Sequence, residues 1–241
     1  MQFQYGTVLL QKPAFQKTIA AAIRPCLKLL LAAMASAEKI IVTVIDLNQT
    51  FYRKSSKEEF YRFVCSKRPK RLRFFFEMLF YKILSKLNLI RQTEFKENFF
   101  NYLDNLPPEK VNEYATEFWR REFPENFNAE LLDHLEKLRT EGQEIFCATG
   151  ALEVYVKPLF ELYPIHGLAG TQTEYNGHTY KIIGRACKGE EKVKRLREHY
   201  AGREFKITEA YSDREEELFA LSEKPFLVKN GKIFPFKKKK G

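Results

Sequence analysis

The chain is poor in the residues that build sulfur-based frameworks. It has four cysteines in 241 residues, Cys26, Cys65, Cys147 and Cys187, all far apart. No CxxC pair and no Cys/His cluster occurs, so a zinc site is not expected. Nothing suggests a disulfide framework either, which points to a reducing compartment. Cys147 lies in an apolar run and reads as a buried structural thiol. Long apolar runs are also missing. The uninterrupted stretch Leu29–Ala35 is far too short to span a bilayer. No internal repeat is visible. No nucleic-acid recognition motif accompanies the basic residues, which argues against a nucleic-acid partner.

What the chain does have is phenylalanine, 22 residues of it, and a formal net charge of +10. Its length suits one sizeable core, with room for a small second module. The charge is uneven. Phe51 to Gln92 carries twelve Lys or Arg against three acids, Glu58, Glu59 and Glu77. This is a solvated helical surface or a face for phosphates, nucleic acid or an anionic bilayer, and the aromatics in the same stretch favour the second.

Residues 1–37 differ from the rest. Three readings fit them: a signal peptide, since Ala35-Ser36-Ala37 has the A-x-A form; an amphipathic surface anchor; or a dispensable leader, with Met34 as the true start. Lys39–Ile45 is a β-branched apolar run and predicts a strand buried on both faces. Asp46 follows it, at the strand end where open α/β sheets place ligands. Residues 55–131 read as almost wholly helical, with Ser55 or Ser56 capping the first helix. Leu106-Pro107-Pro108 starts a helix through Trp119, and Asn128–Arg139 is another. Strand signals then return at Glu144–Ala148, with a helix at Val154–Leu162 and a hairpin around Asn176-Gly177. Glu190–His199 is a basic helix, Ile207–Tyr211 a strand, and Pro225–Val228 and Lys232–Phe236 short final strands. The alternation predicts an α/β fold: a Rossmann-like, mostly parallel sheet with a helical cap inserted after the first strand. The core is expected over residues 38–52 and 130–241, and the cap over 53–129.

Four polar residues fall at strand ends or a helix start: Asp46, Thr149, Lys192 and Asp213. Each alone has an ordinary structural reading, as a cap or a solvated side chain. Their order is what matters. IVTVIDLNQT, IFCATGALEVYVKPL, CKGEEKVKRL and AYSDREEELFAL resemble the four motifs of the haloacid-dehalogenase-like hydrolases, over residues 38–236. The early cap is similar to that of the phosphoserine-phosphatase-like branch. Within it, the likeness is to the bacterial group that includes phosphatidylglycerophosphatase C.

The resemblance implies a phosphatase in which Asp46 attacks phosphorus and forms an aspartyl-phosphate. It implies Mg²⁺ held by Asp46, the main-chain carbonyl of Asn48, and Asp213. Thr149, Gly150 and Lys192 would hold the phosphoryl group. Three positions depart from the pattern. Asn48 replaces the aspartate that protonates the leaving oxygen and then activates water, a loss worth about 10²–10⁴ in rate. Arg214 replaces a small hydroxyl residue; it would weaken the metal or bind substrate phosphate. Glu217 replaces an aspartate and could still reach a metal-bound water.

Two functions follow: a Mg²⁺-dependent phosphomonoesterase slowed by Asn48, or an impaired relative that binds a phosphorylated ligand or membrane without efficient turnover. The substrate would be a phosphorylated small molecule or a lipid phosphate. Arg71–Ile90 (RLRFFFEMLFYKILSKLNLI) is either a cap-core helix or a face that enters an anionic headgroup region. Lys237–Lys240 is a solvated tail or a further membrane attraction. The expected location is cytoplasmic, peripheral at the inner membrane face under the second reading.

Overall fold

The computed structural model describes residues 39–68, 80, 83 and 101–237. The expectations for residues 1–37, for most of Arg71–Ile90 and for Lys238–Lys240 lie outside these residues.

The first apolar run forms β1 (Ile40–Ile45). Helix α1 (Ser56–Lys67), a 3₁₀ turn at Asn101–Leu103, and helices α2 (Pro108–Glu122) and α3 (Ala129–Thr140) follow. Pro107 and Pro108 start α2, where a missing N–H costs nothing. Asn128 caps α3 by accepting from the Leu131 N–H. Then come β2 (Glu144–Leu152), α4 (Glu153–Val156), α5 (Leu159–Leu162) and β3 (Gly167–Thr171). A small hairpin of β4 (Thr173–Tyr175) and β5 (Tyr180–Ile182) precedes α6 (Glu190–His199). The chain closes with β6 (Phe205–Ser212), α7 (Glu217–Leu221), β7 (Lys224–Lys229) and β8 (Lys232–Pro235).

The main sheet has the order β3-β2-β1-β6-β7-β8. Its pairs are parallel except β7 with β8. This is the expected α/β fold. Alternation along the central strands fills both faces. Ile45, Ile145 and Cys147 enter one buried cluster, with Leu131 and Leu135 of α3. Val42, Val44, Phe146 and Ala148 enter the other, with Leu196 of α6 and Phe219 of α7. Chain order reverses across β1. Strands β2 and β3 lie to one side and β6 and β7 to the other, so a crevice opens at the carboxyl end of β1.

Two elements differ from expectation. Strand β2 runs on past Ala148 to Leu152. The single helix expected over Val154–Leu162 is two short ones, because Pro158 caps α5 and cannot continue α4.

The helical segment between β1 and β2 leaves and returns through one narrow neck. Tyr52 pairs with Phe127 in an antiparallel bridge. The Arg53 N–H donates to Asn126 O at 3.0 Å, and the Asn128 N–H to Phe51 O at 2.9 Å. Aromatic rings seal the segment onto the core. Phe60 of α1 stacks on Tyr155 of α4 at 4.8 Å, and Trp119 of α2 meets Tyr52 edge-on at 5.3 Å. Trp119 Nε1 donates to the Tyr155 carbonyl at 2.6 Å. Much of the phenylalanine surplus is spent here, on Phe51, Phe60, Phe63, Phe118 and Phe127.

Candidate active site

The site is built on two neighbouring strand ends. In the β1–β6 ladder Ile45 faces Tyr211, and the Asp46 N–H donates to the Tyr211 carbonyl at 2.8 Å. Asp46 and Asp213 therefore emerge side by side. A tight loop follows Asp46. The Tyr52 N–H donates to Leu47 O at 2.8 Å, and Gln49 takes a positive φ of 60°. The loop turns Asn48 toward α1, where its Oδ1 accepts from the Ser56 N–H at 2.7 Å. That N–H is one of the four that a helix start leaves unpaired.

Helix α6 brings Lys192 to Asp46. Its Nζ donates to Asp46 Oδ1 at 2.7 Å and to both oxygens of Glu216, at 2.8 and 2.7 Å. The trio is buried: the side chains are 6% exposed at Asp46, 3% at Lys192 and 12% at Glu216. Burial disfavours the Lys192 charge, but Asp46 and Glu216 together outweigh it and hold its pKa above that of an ordinary lysine. Burial also pushes the carboxyls of Asp46 and Glu216 upward, against the pull of Lys192. The causes differ. The two carboxylates hold the lysine charged. Burial is the main reason the acids rise, with a smaller push from Asp213 on Asp46 and from Asp46 on Glu216.

A cavity of about 510 Å³ opens over this trio. Asp46, Asn48, Lys57, Gly150, Lys188, Lys192, Asp213, Arg214, Glu216 and Glu217 are among its walls. Of the residues expected from the sequence, Asp46, Asn48, Gly150, Lys192, Asp213, Arg214 and Glu217 all line it, and Thr149 does not. Thr149 is fully buried within β2, three residues before its end, and its Oγ1 accepts from the Ala151 N–H at 3.2 Å. Gly150 and Ala151 form the wall beside it. Gly150 leaves room for Lys188: a Cβ there would meet Lys188 Cε at 3.1 Å. Arg214 turns back on its neighbour, with Nε 3.2 Å from Asp213 Oδ1, and remains largely exposed. Glu217 is exposed and lies against Gly189 at the start of α6, where a Cβ would sit 3.2 Å from its Oε1.

Lys57, Lys188 and Glu216 line the site and were not singled out from the sequence. Glu216 stands in a run of three consecutive glutamates, and nothing in the run says which one turns inward. Lys188 lies four residues before Lys192 and reads as one more charge on a basic helix start.

Mg²⁺ takes hard oxygen ligands. The site offers two carboxylates, Asp46 and Asp213, near enough that Asp213 adds to the upward push on Asp46. A divalent cation would relieve that repulsion, so the donor set fits Mg²⁺. Among the described residues no group of three or more His, Cys, Asp and Glu side chains gathers to hold a metal. Main-chain and water oxygens would have to complete the shell. Arg214, and Lys229 through its bond to the Asp213 carbonyl, bring competing positive charge.

The chain belongs to the haloacid dehalogenase-like hydrolase family, whose model matches residues 43–216. Among solved structures, one similar fold is a Bordetella pertussis Tohama I protein of unknown function, with a TM-score of 0.65 at 18% identity over 78% of this chain and 89% of that one. A HAD-family hydrolase from Salmonella enterica serovar Typhi aligns with a TM-score of 0.51 at 14% identity, over 84% of this chain and 66% of its own. A probable phosphoserine phosphatase from Vibrio cholerae aligns with a TM-score of 0.54 at 14% identity, over 78% of this chain and 55% of its own. At these identities the likeness is one of fold. No curated protein sequence matches the chain.

Proposed function

We propose that this protein is a Mg²⁺-dependent phosphomonoester hydrolase with Asp46 as its nucleophile, and that residues 53–129 form its cap. The buried Asp46–Lys192 pair, 2.7 Å apart at the carboxyl end of the central strand with Asp213 alongside, carries the reading. Asp46 Oδ1 is held by Lys192, and its other oxygen makes no bond to the described residues. That oxygen attacks phosphorus as the bond from phosphorus to the leaving oxygen breaks. The electron pair departs with the leaving group, which takes a proton from water. Water then attacks phosphorus and releases inorganic phosphate and the Asp46 carboxylate. Lys192 and the main chain at Gly150 hold the phosphoryl oxygens throughout. Mg²⁺, held by Asp46, the Asn48 carbonyl and Asp213, would screen the charge between nucleophile and substrate.

A second reading has its own observation. Asn48 carries an amide where proton transfer is needed, and that amide is committed to the Ser56 N–H. This favours slow turnover, or a protein that binds a phosphorylated ligand with little hydrolysis. The likeness to the phosphatidylglycerophosphatase C group makes a lipid phosphate one candidate substrate, beside small soluble phosphomonoesters. A peripheral place at an anionic membrane goes with the lipid. No helix among the described residues is long and apolar enough to cross a bilayer.

The deciding assay is phosphate release from a panel of lipid and soluble phosphomonoesters. Activity should require Mg²⁺, vanish with EDTA and vanish in Asp46→Asn. Beryllofluoride should bind on Asp46 as an aspartyl-phosphate mimic. Full activity in Asp46→Asn, or beryllofluoride bound elsewhere, would sink the proposal.

A further inference from the structure

A lysine ammonium has three N–H bonds to donate. The three contacts of Lys192 Nζ use them all inside the protein: one on Asp46 Oδ1 at 2.7 Å, and two on Glu216 at 2.8 and 2.7 Å. A phosphoryl oxygen arriving at Lys192 finds no donor until one of these bonds opens. Asp46 must stay, because it is the attacking group. The bonds that can open are those to Glu216.

The surroundings of Glu216 suit that release. It precedes α7 as its N-cap in an extended conformation, with φ −136° and ψ 160°; its carbonyl accepts from the Phe219 N–H at 2.9 Å, but its side chain caps nothing. Its neighbours Glu215 and Glu217 are exposed, so the open side of the cavity lies next to it. Its side chain is the most exposed of the trio. A carboxylate offers a cation a pair of charged oxygens, as a phosphoryl face does, so Glu216 already occupies Lys192 in the manner of a bound anion.

We infer that Glu216 is an internal competitor for Lys192, and that it sets how tightly the site holds phosphate. This rests on the reading of Lys192 as a phosphoryl-binding group. The competition acts on product as well as substrate. Each must displace the same carboxylate, so inorganic phosphate is held weakly and leaves readily. A residue that merely aimed Lys192 at Asp46 would have the opposite effect, because its removal would loosen the lysine and weaken phosphate binding. The sign of the change separates the two roles.

The test is calorimetric titration of the full-length chain with inorganic phosphate, in buffer containing Mg²⁺. Glu216→Gln keeps the shape and removes the charge. Glu216→Asp keeps the charge and withdraws it by one methylene. Lys192→Met is made alone and combined with each, and thermal melts verify folding. Glu216→Gln should bind phosphate about tenfold tighter, the size expected for one charged hydrogen-bonding competitor. Glu216→Asp should shift the same way by less, and stands as the test if the glutamine variant does not fold. Lys192→Met should erase the gain. Unchanged or weaker binding in the folded Glu216 variants, with Lys192→Met still weakening the parent, would overturn the competition and leave the phosphatase reading intact. Phosphate binding indifferent to Lys192 in every background would overturn both.

Discussion

At position 48 an amide keeps the structural half of a carboxylate's work and gives up the chemical half. Its Oδ1 satisfies the first N–H of α1, as a carboxylate would, but it has no proton to move. The two halves can be separated. Asn48→Asp should leave thermal stability near the parent and raise turnover of an alkyl phosphate about tenfold or more. An aryl phosphate should gain less, because its leaving oxygen needs less help. Asn48→Ala should lower stability by about 1 kcal/mol, the usual cost of an unpaired helix-start donor, with no gain in rate. Equal rates for Asn48→Asp and the parent on both substrates would place the deficit elsewhere, at Arg214 or Glu217. The contrast with Glu216 shows what was readable at this scale. Asp46, Lys192 and Asp213 could be singled out because their order along the chain resembles the family's motifs, although each alone reads as a cap or a solvated charge. Glu216 could not. Three adjacent glutamates look alike until the backbone turn before α7 decides which one faces Lys192.

Among the elements, the core strands were legible because burial on both faces favours short β-branched apolar runs, and alternation with helical segments separates them from buried helices. The joints were harder to see. Whether Val154–Leu162 is one helix or two depends on Pro158, and the end of β2 depends on a pairing with β3 that resumes at Leu152 and Thr171. The attachment of α1 and α2 to the core could not be read at all, since aromatic side chains at helical spacing do not name their partners. In the structure Trp119 is the fastener. It is fully buried among Tyr52, Phe118 and Phe127, and donates to the Tyr155 carbonyl. Trp119→Phe should remove that donor and leave a small void, for a loss of about 2–3 kcal/mol in chemical denaturation. A loss below about 0.5 kcal/mol would mean that the helical segment is held by other contacts.

For the whole molecule the open question is where its positive charge is used. The segment Arg71–Ile90 lies mostly outside the described residues. Phe80 and Ile83, one helical turn apart, are described and exposed, at 59% and 50%. Exposed apolar groups amid basic residues suit an anionic bilayer surface, where each nearby cation adds about 1 kcal/mol that salt screens. The chain should therefore sediment with anionic vesicles, release progressively as salt rises, and bind less when Phe80 and Ile83 are both changed to Ser. Equal binding to neutral vesicles would remove the electrostatic part, and no binding at low salt would favour a soluble substrate.

The neck at Tyr52 and Phe127 carries a different implication. Exit and re-entry of the helical segment lie one hydrogen-bonded step apart. A change of length between α1 and α2 therefore need not move Asp46 or Asp213, so long as Phe60 and Trp119 keep their packing on Tyr155 and Ser56 keeps its bond to Asn48. On the proposed reading of residues 53–129 as a cap, the strand ends hold the reagent, and the chain between α1 and α2 is where what is recognised could change without disturbing it.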